Sequence, residues 1–402
     1  MYIPFPLDQV ELRAPLPVNV WDPNGVLLLR KGEIIKDEAH KSLLENHLPM
    51  VDAEEFQQWT YRYTSAMDKM LRGNVTLDAI AGTSLPMGVE PAPVQAELDR
   101  TLSERWSDLH AIFGPLLHQA GESSDFLLRL LQVEQRLLTL LRSKQDDSLF
   151  LLVYMLNDRS YGYSCTHALL CSVICHLMSD TLKLAEEQRQ SLVRAALTMN
   201  IGMSRLHDDL SLRQGPLSPE DRAVINQHPL EGTQLLHRHG VRDETWLKLV
   251  RHHHRPMSPV KDLAQADVLV VMAQLLSMAD IYVARISPRA SRRALPLQRA
   301  ARDVYLAVNG QPTPLGAAFI KTLGVYIPGC YVKLANGEVG VVVRRGRKAN
   351  SPMVFALVGR QGMPLGEPAL RDTSDPGLQV VSGLVPDDVK VRIQPERLLA
   401  RL

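Results

Sequence analysis

The chain has 402 residues, 45% hydrophobic and 22% charged, enough for two or three domains with a sizeable core. Its 45 basic residues against 44 acidic ones leave a net charge of +1, which argues against whole-chain electrostatic binding of nucleic acid or anionic membrane. An aromatic content of 5% also excludes an extended base-stacking platform.

Three of the four cysteines cluster at 165, 171 and 175, which is no disulfide framework. The first residues, MYIPFPLDQVELRAP, lack the basic-then-apolar pattern of a secretion signal. Residues 268–284 are the most apolar stretch, but Gln274 and Asp280 interrupt them and they fall short of a convincing membrane span. The expectation is a cytoplasmic protein that binds neither membrane nor nucleic acid polymer.

Residues 1–75 read as a small β-containing module. Runs at 18–21 and 26–29 flank the turn signal Asp22-Pro23-Asn24-Gly25, and Asp37 is placed to cap a short helix. Residues 76–97 are rich in Gly, Pro, Ala and Ser and read as a linker. From 98 to 310 the apolar residues recur at helical spacing, as at Leu131, Leu137, Leu138 and Leu141. Ser218-Pro219-Glu220-Asp221 starts a helix that is expected to run to His228, with Pro229 opening the next segment. Asp243 is expected to cap a helix leading to His252, His253 and His254. The helix after Gln265 places Asp280 on an apolar stripe with Met272, Leu276 and Val283. A carboxylate there requires a partner, and the histidines are the candidates.

Beyond Pro328 the period changes to that of strands. Runs at 331–334, 339–343, 353–358 and 389–393 predict a C-terminal β-module over 325–402. Arg344, Arg345, Arg347 and Lys348 form its dense basic cluster, read as a solvated hairpin tip or as a contact for a phosphate or an acidic partner.

The order and spacing of these residues resemble the HD-GYP domains, a branch of the HD phosphohydrolases that hydrolyse cyclic di-GMP in bacteria. Residues 161–173 resemble the helix bearing the family's first histidine ligand, here His167. Residues 195–229 follow the family's His-Asp-Ile-Gly-Lys, Gly-x-Leu-Thr and His-Pro pattern without a gap, ending on His228. The histidines at 252–254 stand at the family's His-His-Glu, and Asp280 resembles its last metal-binding aspartate. The fold so implied is mainly α: an HD-type helical bundle flanked by small β-modules at both ends.

The departures bear on chemistry. Met199-Asn200 replace the His-Asp pair, Met203 replaces the lysine, and residues 255–261 replace the Gly-Tyr-Pro loop. In the family, two or three metal ions clamp the phosphate, and the aspartate of that pair bridges two of them. An amide carries no charge to hold two cations together, and a thioether is a poor ligand for hard cations. No catalytic residue pair is therefore intact. His167, His228, His252, His253 and Asp280 remain as residual metal candidates, for at most one divalent ion of Fe, Mn or Zn, and no cofactor is otherwise expected. The His207-Asp208 dipeptide lies eight residues beyond the signature position and reads as chance. The spacing of His167, Cys171 and Cys175 on one helix reads as core rather than as a zinc site.

Two readings follow. The first is a catalytically degenerate HD-GYP-like protein, a regulatory or protein-interaction module in cyclic di-GMP signalling. It implies protein partners and admits cyclic di-GMP binding and a homodimer. The alternative is an active metal-dependent cyclic di-GMP phosphodiesterase with a remodelled site.

Overall fold

The computed structural model describes residues 2–5, 12–13, 16, 18–23, 26–52, 100–142, 144–255, 257–306 and 310–402. The expected linker at 76–97, and the module beyond residue 52, lie outside these. The chain divides into two units, 1–99 and 100–402.

In the first unit, β1 (Tyr2–Pro4), β2 (Val20–Trp21), β3 (Leu27–Leu29) and β4 (Met50–Asp52) form an antiparallel sheet in the order β1-β4-β2-β3. The turn after β2 closes where Asp22 accepts from the Val26 amide at 2.8 Å. Helix α1 (Glu38–Glu45) starts at Asp37, whose carboxylate accepts from the His40 amide at 2.8 Å. Leu16, Val18, Val20, Ile35, Leu44 and Val51 pack into a core of their own.

The second unit is built on helices α2 (Leu102–His118), α3 (Phe126–Leu141), α4 (Gln145–Asn157), α5 (Tyr163–Thr181), α6 (Glu186–Thr198), α7 (Ser204–Leu212), α8 (Pro219–Arg238), α9 (Glu244–His252), α10 (Val268–Ile286), α11 (Leu297–Tyr305) and α12 (Pro314–Leu323). Local signals set their starts. Thr101 and Glu104 form a reciprocal cap on α2, Ser218 and Asp221 do so on α8, and Asp243 accepts from the Trp246 amide on α9. Helix α5 is buried on nearly every side, which explains its lack of amphipathic pattern. By length and composition α10 could cross a membrane, yet it carries buried Asp280 and packs on α5 as a core helix. Its polar Gln274 is satisfied by the loop before it: Nε2 donates to the Ser258 carbonyl and Oε1 accepts from the Val260 amide.

Helix α8 does not stop at His228. It passes through Pro229 to Arg238, because Pro229 removes one amide and the carbonyl so released finds another donor, as shown below.

The C-terminal strands β5 (Tyr331–Leu334), β6 (Val339–Arg344), β7 (Met353–Val358), β8 (Pro364–Asp372) and β9 (Val380–Leu384) form an antiparallel sheet in the order β8-β7-β6-β5-β9. A short helix, α13 (Pro395–Leu399), ends the chain. The run at 389–393 is not a strand: Val391 and Ile393 pack on the helical core without a ladder partner. Strands β8 and β9 lie at the two edges of the sheet, where half-exposed residues need no alternating apolar pattern, so the sequence hid them. Val341, Val343, Phe355 and Leu357 belong to the same apolar core as the helices. Gly329 makes this junction possible: its φ is +93°, and a Cβ there would stand 2.7 Å from that of Val153 on α4.

Candidate functional site

Four elements converge behind α5. The Ile201–Met203 turn after α6 crosses α8 so closely that a Cβ on Gly202 would lie 2.5 Å from the His228 carbonyl oxygen and 2.8 Å from the Gly232 nitrogen. This contact sets the segment that follows Met199 and Asn200 directly against α8. Trp246 of α9 donates from Nε1 to Thr198 Oγ1 at 2.8 Å, holding the first turn of α9 against the end of α6. Helix α10 supplies Asp280 from the other side.

His167 and Asp280 are joined: Nε2 of the first stands 2.9 Å from Oδ1 of the second. The direction of this bond follows from its neighbours. Arg289 can only donate, and its Nη2 donates to the Tyr163 hydroxyl at 2.6 Å. That hydroxyl therefore gives its own proton to His167 Nδ1 at 3.1 Å, leaving Nε2–H to donate to Asp280. Both nitrogens of His167 are thus committed. Asn200 Nδ2 adds a longer contact of 3.5 Å to the same Asp280 oxygen. Burial pushes the Asp280 carboxyl up, but the His167 bond and the surrounding imidazoles outweigh it and hold it below the usual carboxylate range.

His228 and His253 form a different arrangement. Pro229 has no N–H to give the Ile225 carbonyl, and His228 Nδ1 fills the gap at 2.5 Å. His253, just past α9, donates Nδ1–H to the unsatisfied Val250 carbonyl at 2.7 Å. Each ring is thereby fixed as the Nδ1–H tautomer, and the two bare Nε2 atoms face each other at 3.1 Å. Burial lowers both, His228 to about 4 and His253 to about 3. Two lone pairs at this distance repel unless a cation lies between or beside them. His254 joins them: ligand atoms of His228, His253 and His254 all lie within 4.8 Å of one another. His254 Nδ1 is 3.9 Å from Asp280 Oδ2. This donor set, imidazoles oriented by carbonyls beside a carboxylate, fits one Zn, Fe or Mn ion.

Of the residues expected at the site, His252 stands outside the cluster and His254 takes its place. Successive helical residues point about 100° apart. With His253 turned inward, His252 must face elsewhere, while the chain unwinds after it and carries His254 back. Met199 is fully buried among apolar side chains, where it contributes packing of about 1.5–3 kcal/mol and no ligand of use to a hard cation. Asn200 Oδ1 is buried without a hydrogen-bond partner among the described residues. The cysteines at 165, 171 and 175 are all buried, with thiols pushed up by burial, and no metal group forms there among the described residues.

The His207-Asp208 dipeptide, expected to be incidental, lies within α7. Asp208 accepts from the Ser164 amide at 2.5 Å and bonds His118 Nε2 at 2.7 Å, capping the first turn of the His167 helix from across the bundle. His207 meets the Tyr163 ring edge-on at 4.7 Å and the His167 ring at 5.3 Å. Its Nδ1 is buried and has no partner among the described residues, and burial holds its pKa well below 6.5. The dipeptide itself was the available signal. What hid its role is that α7 folds back on α5. Among the described residues Arg289 Nε is also buried without a partner, and neither Arg289 nor Arg292 has an ion pair.

Half of the basic cluster of the tail is engaged. Arg344 pairs with buried Asp147 and Arg345 with Asp146, both on α4. These bonds fasten the sheet to the helices, so Arg344 and Arg345 are not part of a free hairpin tip, while Arg347 and Lys348 stay exposed.

The chain is similar to several known proteins. Residues 151–307 match the HD domain family. The chain is 26% identical over 270 residues to the cyclic di-GMP phosphodiesterase response regulator RpfG of Xanthomonas campestris, covering 65% of this chain and 70% of that protein. It is 24% identical over 288 residues to a cyclic di-GMP phosphodiesterase of Pseudomonas aeruginosa, covering 70% and 68%. A solved structure of an HDG"Y"P protein from Bdellovibrio bacteriovorus aligns at 16% identity with a TM-score of 0.38, over 79% of this chain and 97% of that one. The histidine order, the helices that carry it and the family match mark residues 151–307 as an HD domain, in a chain similar to cyclic di-GMP phosphodiesterases.

Proposed function

We propose that this protein is a catalytically silent HD-GYP-type regulator in bacterial cyclic di-GMP signalling, holding at most one divalent metal ion and acting through what it binds. The observation that carries the reading is the amide of Asn200 beside Asp280. A carboxylate at that position would need a cation to offset its repulsion from Asp280, whereas an amide N–H turned to the carboxylate is content without one. The Met199 thioether supports the same reading.

His228, His253 and His254 would hold the single ion, with Asp280 Oδ2 beside them. A metal ion in such a site supplies Lewis acidity and a hydroxide near neutral pH. The chain's own groups would do the rest. Arg289 and Arg292, without carboxylate partners among the described residues, suit the phosphates of a cyclic dinucleotide. His167, locked between Tyr163 and Asp280, would keep the wall of the site rigid.

The test is the purified full chain supplied with Mn²⁺ or Fe²⁺. Expected are no more than one ion per chain by elemental analysis and no linearisation of cyclic di-GMP above a protein-free blank, with calorimetry reading binding of the intact dinucleotide. Turnover that is abolished by His228→Ala would overturn the proposal. It would favour the second reading, an active phosphodiesterase with a remodelled site, for which the cation-seeking His228 and His253 pair speaks.

A further inference from the structure

A cleft of about 280 Å³ opens where the end of α12 meets the loop between β6 and β7, and it shares no residue with the histidine cluster. Lys321, Arg345, Arg347 and Lys348 line it together with Tyr326, and no acidic residue does. In a chain with a net charge of +1 this is a local concentration of positive charge.

The loop is held in place rather than splayed into solvent. Arg345 bonds Asp146, donates Nη1 to the Thr322 carbonyl at 3.0 Å and Nη2 to Gln145 Oε1 at 3.1 Å. The Val325 amide donates to the Ala349 carbonyl at 2.8 Å. With Arg345 spent on this anchorage, the side chains of Lys321, Arg347 and Lys348 have no hydrogen bond or ion pair among the described residues. Arg347 acts on Asp372 only at longer range, and that carboxylate already accepts from the Ser374 hydroxyl and amide. The amides of Gly346 and Arg347 likewise donate to no acceptor among the described residues. Three uncommitted cations thus line one cleft that has no carboxylate to neutralise them.

We propose that this cleft binds a small phosphorylated molecule through Lys321, Arg347 and Lys348. Several converging cations favour a ligand with more than one negative charge, which a phosphate supplies. The volume lies just under the range of about 300–1,000 Å³ usual for small-ligand sites. A nucleic acid polymer fits less well, because the single aromatic ring, Tyr326, is tied through its hydroxyl to Gln298 and offers no stacking platform.

The experiment is calorimetry on the full chain with inorganic pyrophosphate, with sulfate at matched ionic strength as control. Saturable binding is expected, weakening as salt rises. It should weaken by about tenfold or more in Lys321→Gln/Arg347→Gln/Lys348→Gln. The charge-preserving Lys321→Arg/Arg347→Lys/Lys348→Arg should retain binding, as should His228→Ala. Pyrophosphate binding no tighter than sulfate, or unchanged in the neutralised variant, would overturn the proposal. So would a single-stranded oligonucleotide or an anionic phospholipid vesicle that binds through these residues while pyrophosphate does not. Circular dichroism and urea midpoints equal to wild type show that the neutralised variant is folded.

Discussion

His228 and His253 meet Nε2 to Nε2 at 3.1 Å although each has already given its only ring proton to a backbone carbonyl. The proline after His228 creates this situation. By withholding its amide from the Ile225 carbonyl, Pro229 frees the acceptor that fixes the His228 tautomer. A His-Pro dipeptide inside a helix is therefore a device for presenting a bare imidazole nitrogen.

Pro229→Ala restores an amide that competes for the Ile225 carbonyl. The helix should gain stability, since an interior proline costs about 3 kcal/mol relative to alanine where nothing compensates. Metal affinity should fall by about 10–100-fold, the usual loss when an outer partner of a ligand histidine is removed. Urea unfolding reads the first effect and chelator competition the second. Unchanged metal affinity would sever the proline from the site.

Asn200→Asp places a second carboxylate beside Asp280 in a buried pocket. The metal-free variant should lose about 3 kcal/mol or more, as expected when a buried charge is left unpaired. Added Mn²⁺ should then raise its melting temperature much more than that of the wild type. Scanning calorimetry with and without the ion decides. Equal metal responses of the two proteins would show that position 200 does not face the ion.

His207 separates into packing and polarity. His207→Phe keeps an aromatic edge against Tyr163 and removes a buried nitrogen that has no partner, so stability should hold or rise by about 1 kcal/mol. His207→Ala should cost about 2–4 kcal/mol by opening a cavity. Urea midpoints of both variants test the pair. A destabilised Phe variant would show that the nitrogen has a role beyond packing.

Glu338 gives the tail a pH dependence of known sign. Its bidentate bonds to Arg371, at 2.8 and 2.9 Å, hold its carboxyl down to about 2 against an ordinary value of 4.5. Because the folded value is depressed, the stabilisation is complete above about 4.5 and is lost as pH falls from there through about 2. Glu338→Gln should be less stable than the wild type at pH 7, and the gap should close between pH 4.5 and pH 2. Parallel slopes of stability against pH in that window would refute the assignment.

The caps of α1, α8 and α9, the turn at Asp22, the strands at 331–334 and 353–358, and the order His167, His228, His253, Asp280 were all readable along the chain. Each depends on residues a few positions apart, which is the range over which capping, turn chemistry and periodicity act. What the tertiary structure alone decided depends on helix rotation and distant partners. The inward turn of His253 excludes His252 and admits His254. The fold-back of α7 makes His207 a neighbour of His167, forty residues earlier in sequence. Arg344 and Arg345 find their acids on α4, nearly two hundred residues away, and so become fasteners of the tail. No local pattern encodes such pairings, because the free energy that selects them comes from burying a shared core, and that core exists only once the helices have packed.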